Sequence, residues 1–464
     1  MKTRTQITLT IILAGTVLLA IPGWTDPTPP IMPTIVETPL PAPVTLPALE
    51  TIPADVPNTP LTAAEAAQIA LRHQSTITGA HAGLLAAQAR LQQTRAGLRA
   101  GVVLSTGYNN SPITPSSGTP STSSGFVTGA TVRQLLFDYN HTRDLVRQSV
   151  EQERLAVATL TRTQSDLVFQ VKQAFYTVVQ NARLVTVNEA NLRNRQQHLD
   201  LTKARVKEGV GLPADVVRAE TAVSDAILSL NLAQNSVLIS RVVLAQAMGL
   251  DPRTPIVVGD AGEPPVATDD INTLFTLALR QRPELAQLQA TLRANQLGVT
   301  VAKSTNAPQV SGTVGWNARA VNFTPNDGTL VLGVAVTWNA FDGGLMSGKI
   351  KEAQANVIQA QALLVTTQQT VVSDVSQAYL NLKTAEQRVV TADAEVANAE
   401  EGVRLSQGRY NAGLGIFLDV LDAQAALVTA QTNRVNAQTA VNQARAALAH
   451  AVNADPVANN AVEK

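Results

Sequence analysis

The sequence predicts a mainly α-helical protein with a small β-barrel part, built from two copies of one helix–β-hairpin–long helix–helix repeat. Three observations predict it: a whole-chain duplication, a seven-residue period in the helices, and alternating apolar and small residues in short paired stretches. The duplication is direct. Phe137-Asp138 returns as Phe341-Asp342, and Gln173-Ala174-Phe175 returns as Gln377-Ala378-Tyr379. Arg205, Gly209, Gly211, Asp215 and Val216 return as Arg409, Gly413, Gly415, Asp419 and Val420. Arg241 and Asp251-Pro252 return as Arg445 and Asp455-Pro456. Upstream of Phe137 the offset grows by four residues, matching Gly107-Tyr108 to Gly315-Trp316, so the loop between residues 109 and 125 is longer in the first copy. A period of about 200 residues is too long for a solenoid unit and reads as duplication of a whole substructure.

Composition narrows the class. Of 464 residues only 3% are aromatic and 15% charged, a poor recipe for a large globular core and a good one for long helices packed through small side chains. The net charge is zero, and no Lys/Arg run is present, which argues against nucleic acid as a partner. There is no cysteine, hence no disulfide, no thiolate metal site and no lipid-attachment cysteine.

In chain order, residues 1–21 read as a signal peptide: Lys2 and Arg4 precede an apolar stretch from Ile7 to Ile21. Residues 22–60 hold half of the 24 prolines and read as an extended leader. Repeat 1 follows over 61–252, with helices expected at 62–99, 139–208 and 214–249, strands at about 101–109 and 125–137, and a tip at about 205–220. After a linker at 253–270, repeat 2 covers 271–456, with helices at 271–304, 343–411 and 417–452, strands at about 309–317 and 329–341, and a tip at about 409–424. Residues 457–464 form a tail. The long helix of each copy has roughly 70 residues, or about 105 Å, and matches the two shorter ones added together. The shorter helices are therefore expected end to end beside the long one, with the strands at one end and a Gly turn at the other.

Positions 216, 223, 230, 237 and 244 are Val, Val, Leu, Val and Leu; positions 219, 226, 233, 240 and 247 are Ala, Ala, Ala, Ser and Ala. In the second copy 423, 430, 437, 444 and 451 are all Ala. A seven-residue period implies left-handed supercoiling, and alanine on the seam allows close approach of the helix axes. Side chains this small do not fill the centre of a solid bundle, whereas walls one helix thick around a hollow need no such filling.

Leu330, Leu332, Val334, Val336 and Trp338 share one strand face, against Val331, Gly333, Ala335 and Thr337 on the other. Val310, Gly312, Val314 and Trp316 repeat the pattern, as do Val102, Leu104, Thr106 and Tyr108. Apolar-out alternation with aromatics near the ends marks a transmembrane barrel. Four strands cannot close one, and open edges are not tolerated in lipid, so the chain must oligomerise: eight strands from two copies, or twelve from three.

The tip segments RVKEGVGLPADVVRAE, from Arg205, and RYNAGLGIFLDVLDAQ, from Arg409, carry the most specific signal. Through them, and over nearly all of residues 61–456, the chain resembles the TolC family of outer-membrane efflux proteins. The resemblance implies a homotrimer with a twelve-stranded transmembrane β-barrel continued by a periplasmic α-helical barrel. It implies outer membrane lipid around the barrel, a periplasmic adaptor at the tips, and an inner-membrane RND or ABC transporter beyond it. Val210, Gly211, Leu212, Leu414, Gly415 and Ile416 fall where the family docks its adaptor, with Gly209 and Gly413 as the tip turns. Tyr410, Asp419 and Asp422 fall at the family's periplasmic gate, and Asp215 at a further tip aspartate. At Gly415 some relatives carry an arginine that latches neighbouring hairpins; Arg218 and Arg409 are candidates to replace it. The structural alternative for Asp215 and Asp419 is capping of the returning helix.

No cofactor and no catalysis are expected. The five histidines have no metal-ligand spacing and read as surface or satisfied residues, and no nucleotide or hydrolase motif is present. A trimeric coiled-coil adhesin or fibre is the alternative, although a fibre needs neither paired hairpins nor duplication.

Overall fold

A computed structural model describes residues 59–113, 121–260, 262–266, 270–321 and 324–455. The expected signal segment, nearly all of the Pro-rich leader and the tail at 457–464 lie outside the described residues. In chain order the elements are α1 (Ala63–His73), α2 (Ser75–Ala96), β1 (Gly101–Ile113), β2 (Ser121–Phe137), α3 (His141–Lys207) and α4 (Pro213–Ala247), then α5 (Ile271–Gln281), α6 (Pro283–Ser304), β3 (Gln309–Val321), β4 (Thr324–Thr337), α7 (Leu345–Asn411) and α8 (Phe417–Ala451). The duplication is exact at the level of helices, with lengths of 11, 22, 67 and 35 residues in both copies.

Local chemistry starts each repeat in a different way. Thr62 and Glu65 form a capping box on α1, whereas Asp270 accepts from the backbone amides of Asn272 and Thr273 to cap α5. The long helices begin at the repeated Phe-Asp. Asp138 accepts from the amide of Thr142 at 2.7 Å, and Asp342 from that of Met346 at 2.7 Å. Between carboxylate and helix the chain makes a left-handed turn, written Tyr139-Asn140 in one copy and Gly343-Gly344 in the other.

The single first helix expected in each copy is in fact two. In repeat 2, Pro283 drives Arg282 out of the helical region, to φ −62° and ψ 124°. Repeat 1 has no proline there, yet Gln74 sits at φ −72° and ψ 122°. Tertiary contact replaces the proline. Gln74 Nε2 donates to the carbonyls of Gln246 and Ala247 at the end of α4, each at 3.2 Å. Arg282 Nε does the same to Ala451 O at the end of α8, at 2.7 Å. Each break thus supplies a partner for the last carbonyl of the stacked helix, Ala247 O in one copy and Ala451 O in the other. The 11-, 22- and 35-residue helices of a repeat thereby run in line beside its 67-residue partner, about 100 Å of helix.

The heptad seam is on the inside. Ala219, Ala226, Val237, Ser240 and Leu244 are buried, and no seam position from 216 to 247 is exposed. Larger side chains gather halfway along the helices. Phe175, Tyr176, Leu244 and Met248 lead the cluster of repeat 1; Leu274, Val371, Val375 and Leu448 lead that of repeat 2.

The four strands form one antiparallel sheet in the order β1-β2-β3-β4, with β2 and β3 joining the two repeats through Phe126↔Ala320 to Phe137↔Val310. Strands β1, β2 and β3 run longer than expected at their far ends, because backbone pairing such as Asn110↔Ser124 and Pro112↔Thr122 continues past the apolar alternation. Strand β4 begins earlier, at Thr324, and ends earlier, at Thr337, since Asp342 belongs to the cap of α7. Leu332 (71% exposed), Val334 (70%) and Leu104 (79%) lie bare, so this apolar row does not cover a soluble core.

A buried ion cluster ties the repeats together. Lys172 on α3 meets Glu263 of the linker at 2.6 Å and Asp455 at the end of repeat 2, and the Tyr176 hydroxyl donates to Glu263 at 2.6 Å. Burial alone would lower the Lys172 pKa, but Asp455 and Glu263 more than offset it and hold the ammonium above its ordinary value. Burial, and then Glu263, push the Tyr176 phenol up as well. Both groups stay protonated in the fold, so their stabilisation is complete below their unfolded values of 10.5 and 10.0 and is lost as pH rises beyond them. Melting temperature followed by circular dichroism should therefore fall above about pH 10. Lys172→Met should destabilise at neutral pH by about 3–5 kcal/mol, since two carboxylates are left buried without their cation.

Candidate functional site

The ends of the molecule opposite the sheet are two tight turns of the same construction. Helix α3 ends at Lys207, and Gly209 takes φ +76°; α7 ends at Asn411, and Gly413 takes φ +73°. The amide of Gly209 bonds Val206 O at 3.1 Å and that of Val210 bonds Arg205 O at 3.0 Å. Gly413 to Tyr410 O and Leu414 to Arg409 O repeat this at 3.1 and 2.9 Å. Both are Schellman caps, which need a residue free to adopt the left-handed region. Gly211 is required for a different reason: a Cβ there would lie 2.9 Å from the Val206 nitrogen. The turns hold out apolar side chains, with Val210 and Leu414 exposed at 77% and 74% beside exposed Leu212 and Ile416. Gly415 sits between Leu414 and Ile416.

The aspartates do not cap their helices. Leu212 and Ile416 occupy the N-cap positions without a side-chain hydrogen bond, and the helices begin at Pro213 and Phe417. Asp215 and Asp419 therefore sit inside the first turn, where the positive end of the helix favours a carboxylate. Asp215 is buried and meets Arg218 of its own helix at 3.5 Å. Asp419 and Asp422 are exposed and three residues apart, hence on one face of α8.

Tyr410 is buried rather than presented to solvent. Its ring lies 5.6 Å from that of Phe417, in a small cluster with Ala219 and Val420. The Arg205 guanidinium stands over the ring at 4.5 Å and donates to Tyr410 O at 3.2 Å and Asn411 O at 3.1 Å. One side chain from the first hairpin thus bonds the last carbonyls of the second, adding to the cap at Tyr410 O and giving Asn411 O a partner, where helix polarity favours a cation. Arg218 stays on its own helix, and Arg409 is exposed and makes no ion pair among the described residues. The residue that joins the hairpins is Arg205. Its recurrence as Arg409 was visible in the sequence, but nothing there distinguishes the copy that reaches across from the copy that does not.

Comparison with known proteins agrees with this architecture. The family model described as outer membrane efflux protein matches twice, at residues 66–250 and 274–454. The outer membrane efflux protein BepC of Brucella suis is 26% identical over 239 residues, 50% of this chain and 51% of that protein. Protein CyaE of Bordetella pertussis is 26% identical over 255 residues, 54% of this chain and 53% of its own length. The chain thus spans about half the length of the curated relatives it matches. Among solved structures, the outer-membrane channel OprN superimposes with a TM-score of 0.75 at 20% identity, covering 84% of this chain and 89% of that one. The outer membrane protein VceC of Vibrio cholerae gives 0.73 at 20% identity, covering 84% and 95%.

Gly209→Val and Gly413→Val should loosen the tips alone. A β-branched residue at this φ costs about 1–2 kcal/mol, which accelerates local opening roughly 5- to 30-fold. Hydrogen exchange should rise at the amides closing the two caps, while the melting temperature of the whole protein stays unchanged.

Proposed function

The chain belongs to the outer membrane efflux protein family, and from that premise we propose that it forms a homotrimeric channel-tunnel. It resides in the outer membrane. In this reading the channel passively carries drugs, other small molecules or proteins from a periplasmic adaptor and an inner-membrane RND or ABC transporter to the exterior. The system served is one of tripartite efflux or type I secretion.

One observation carries the proposal: a four-stranded sheet, both edges unpaired among the described residues and with a bare apolar row, stands at the end of helices long enough to cross a periplasm. Lipid leaves no partner for the amides and carbonyls of β1 and β4, so these edges must meet those of other copies. Twelve strands from three chains give an interior wide enough for a passage. The outer face of α4 supports the same assembly, since Val217, Leu228, Leu232, Leu238 and Ile239 lie exposed in the single chain. A coiled-coil adhesin has no use for the sheet, and its stalk does not account for the double family match.

At the tips, exposed Val210, Leu212, Leu414 and Ile416 offer apolar knobs for the adaptor, with Gly211 and Gly415 keeping the turns narrow. Asp419 and Asp422 form the constriction, with Asp215 and Tyr410 behind it. Three copies of each exposed aspartate near one axis repel one another and concentrate cations. Arg205 takes the place of the arginine missing at Gly415, acting within one chain.

The mass of the detergent-extracted complex should be that of a trimer; a stable monomer with its sheet intact would overturn the assembly. In planar bilayers the channel should prefer cations and be blocked by multivalent cations from the tip side. The Asp419→Ala, Asp422→Ala double variant should lose both properties while remaining conductive.

A further inference from the structure

Above the tips, α3, α7 and α8 enclose a cavity of about 370 Å³. Its polar lining is uncharged: Asn194, Gln197 and His198 from α3, Gln407 from α7, Gln424 and Gln431 from α8. Asn191, also at the wall, accepts from Arg195 Nε at 3.3 Å. Among the described residues the other carboxamides make no side-chain hydrogen bond within the protein. Gln424 is 5% exposed, and its Oε1 is buried with no partner. His198 is 8% exposed, and burial, followed by the charge of Arg195, lowers its pKa and keeps the imidazole neutral. The expectation of satisfied histidines holds for His141, 2.9 Å from Ser304, and for His450, 3.0 Å from Asp166, but not here.

Buried polar side chains are almost always paired, so the unpaired Gln424 carboxamide and His198 imidazole in the wall of a cavity point to an occupant. The lining selects its chemistry. A cation would lose its hydration with no carboxylate in the lining and the Arg195 guanidinium beside the wall, and an apolar guest would leave the amides unmatched. A hydroxyl both donates and accepts, as a carboxamide does through its two ends. Leu427 and Val428 supply an apolar wall for carbon-bound hydrogens. The volume equals about twelve waters at roughly 30 Å³ each, enough for a six-carbon polyol.

We propose that this cavity binds a small neutral polyhydroxylated solute, its hydroxyls bonding the carboxamides of the wall, Gln424 among them, and the imidazole of His198. The occupant touches α3 on one side and α7 and α8 on the other. Binding therefore ties the first hairpin to the second and favours the present tip arrangement by mass action. The proposal goes beyond the channel reading and stands without it, because it needs only the packing of three helices in one chain.

D-sorbitol is the probe, and the full-length detergent-solubilised protein is the sample. Saturation-transfer NMR should show transfer to sorbitol in the wild type and at least a five-fold loss in both Gln424→Leu and His198→Phe. Circular dichroism checks that each variant is folded. Should Gln424→Leu fail to fold, Gln431→Leu replaces it, since that side chain is only half-buried. Equal transfer in wild type and variants would mean surface association and overturn the proposal. Absence of transfer in the wild type would leave only ordered water in the cavity and overturn it equally.

Discussion

Two copies of one repeat joined by a sheet could slide along each other, because a seam of alanines fits at many offsets. The Lys172 ammonium removes that freedom. It lies on α3 of the first copy and takes one carboxylate from the linker, Glu263, and one from the end of the second copy, Asp455. Around it α3 holds further fixed points. Gln173 donates to Gln443 O, Ser165 to Asn453, and Asp166 meets His450, whose ring stacks on Phe169 at 4.6 Å. Buried charge contributes little net stability once desolvation is counted. What it supplies is register, since a shift by one residue strands an ion in an apolar belt.

The duplication preserves backbone events and changes the side chains that cause them. A left-handed pair opens both long helices, made by Tyr-Asn in one copy and Gly-Gly in the other. Both first helices break at the equivalent residue, one before a proline and one without it. The caps over α4 and α8 come from a glutamine amide and an arginine guanidinium. The geometry therefore belongs to the stacking of three helices on one, and several chemistries satisfy it.

That observation explains what was legible in the sequence. The seam, the helix ends at Gly209 and Gly413, and the alternation of Leu330 to Trp338 are local periodicities, and each reads directly. The break at Gln74 is not local: it exists because Gly249 brings the end of α4 against His73 and Gln74, leaving no room for a Cβ. The repeated Phe-Asp was plain as a repeat, but its role as a cap reaching over a left-handed pair needs the turn to be seen. At the tips, spacing located the aspartates but not their depth in the helix, and it left the cross-hairpin reach of Arg205 hidden.

The shared seven-residue frame gives the helical body a ruler. Adding or removing one residue in α3 turns everything beyond it by about 100° and carries alanines off the seam. Only whole heptads, inserted together in α3 and α4 and again in α7 and α8, keep the faces in phase. Length is thus quantised in steps of about 10 Å. A lineage changing the length of the body must jump by such steps in four places at once.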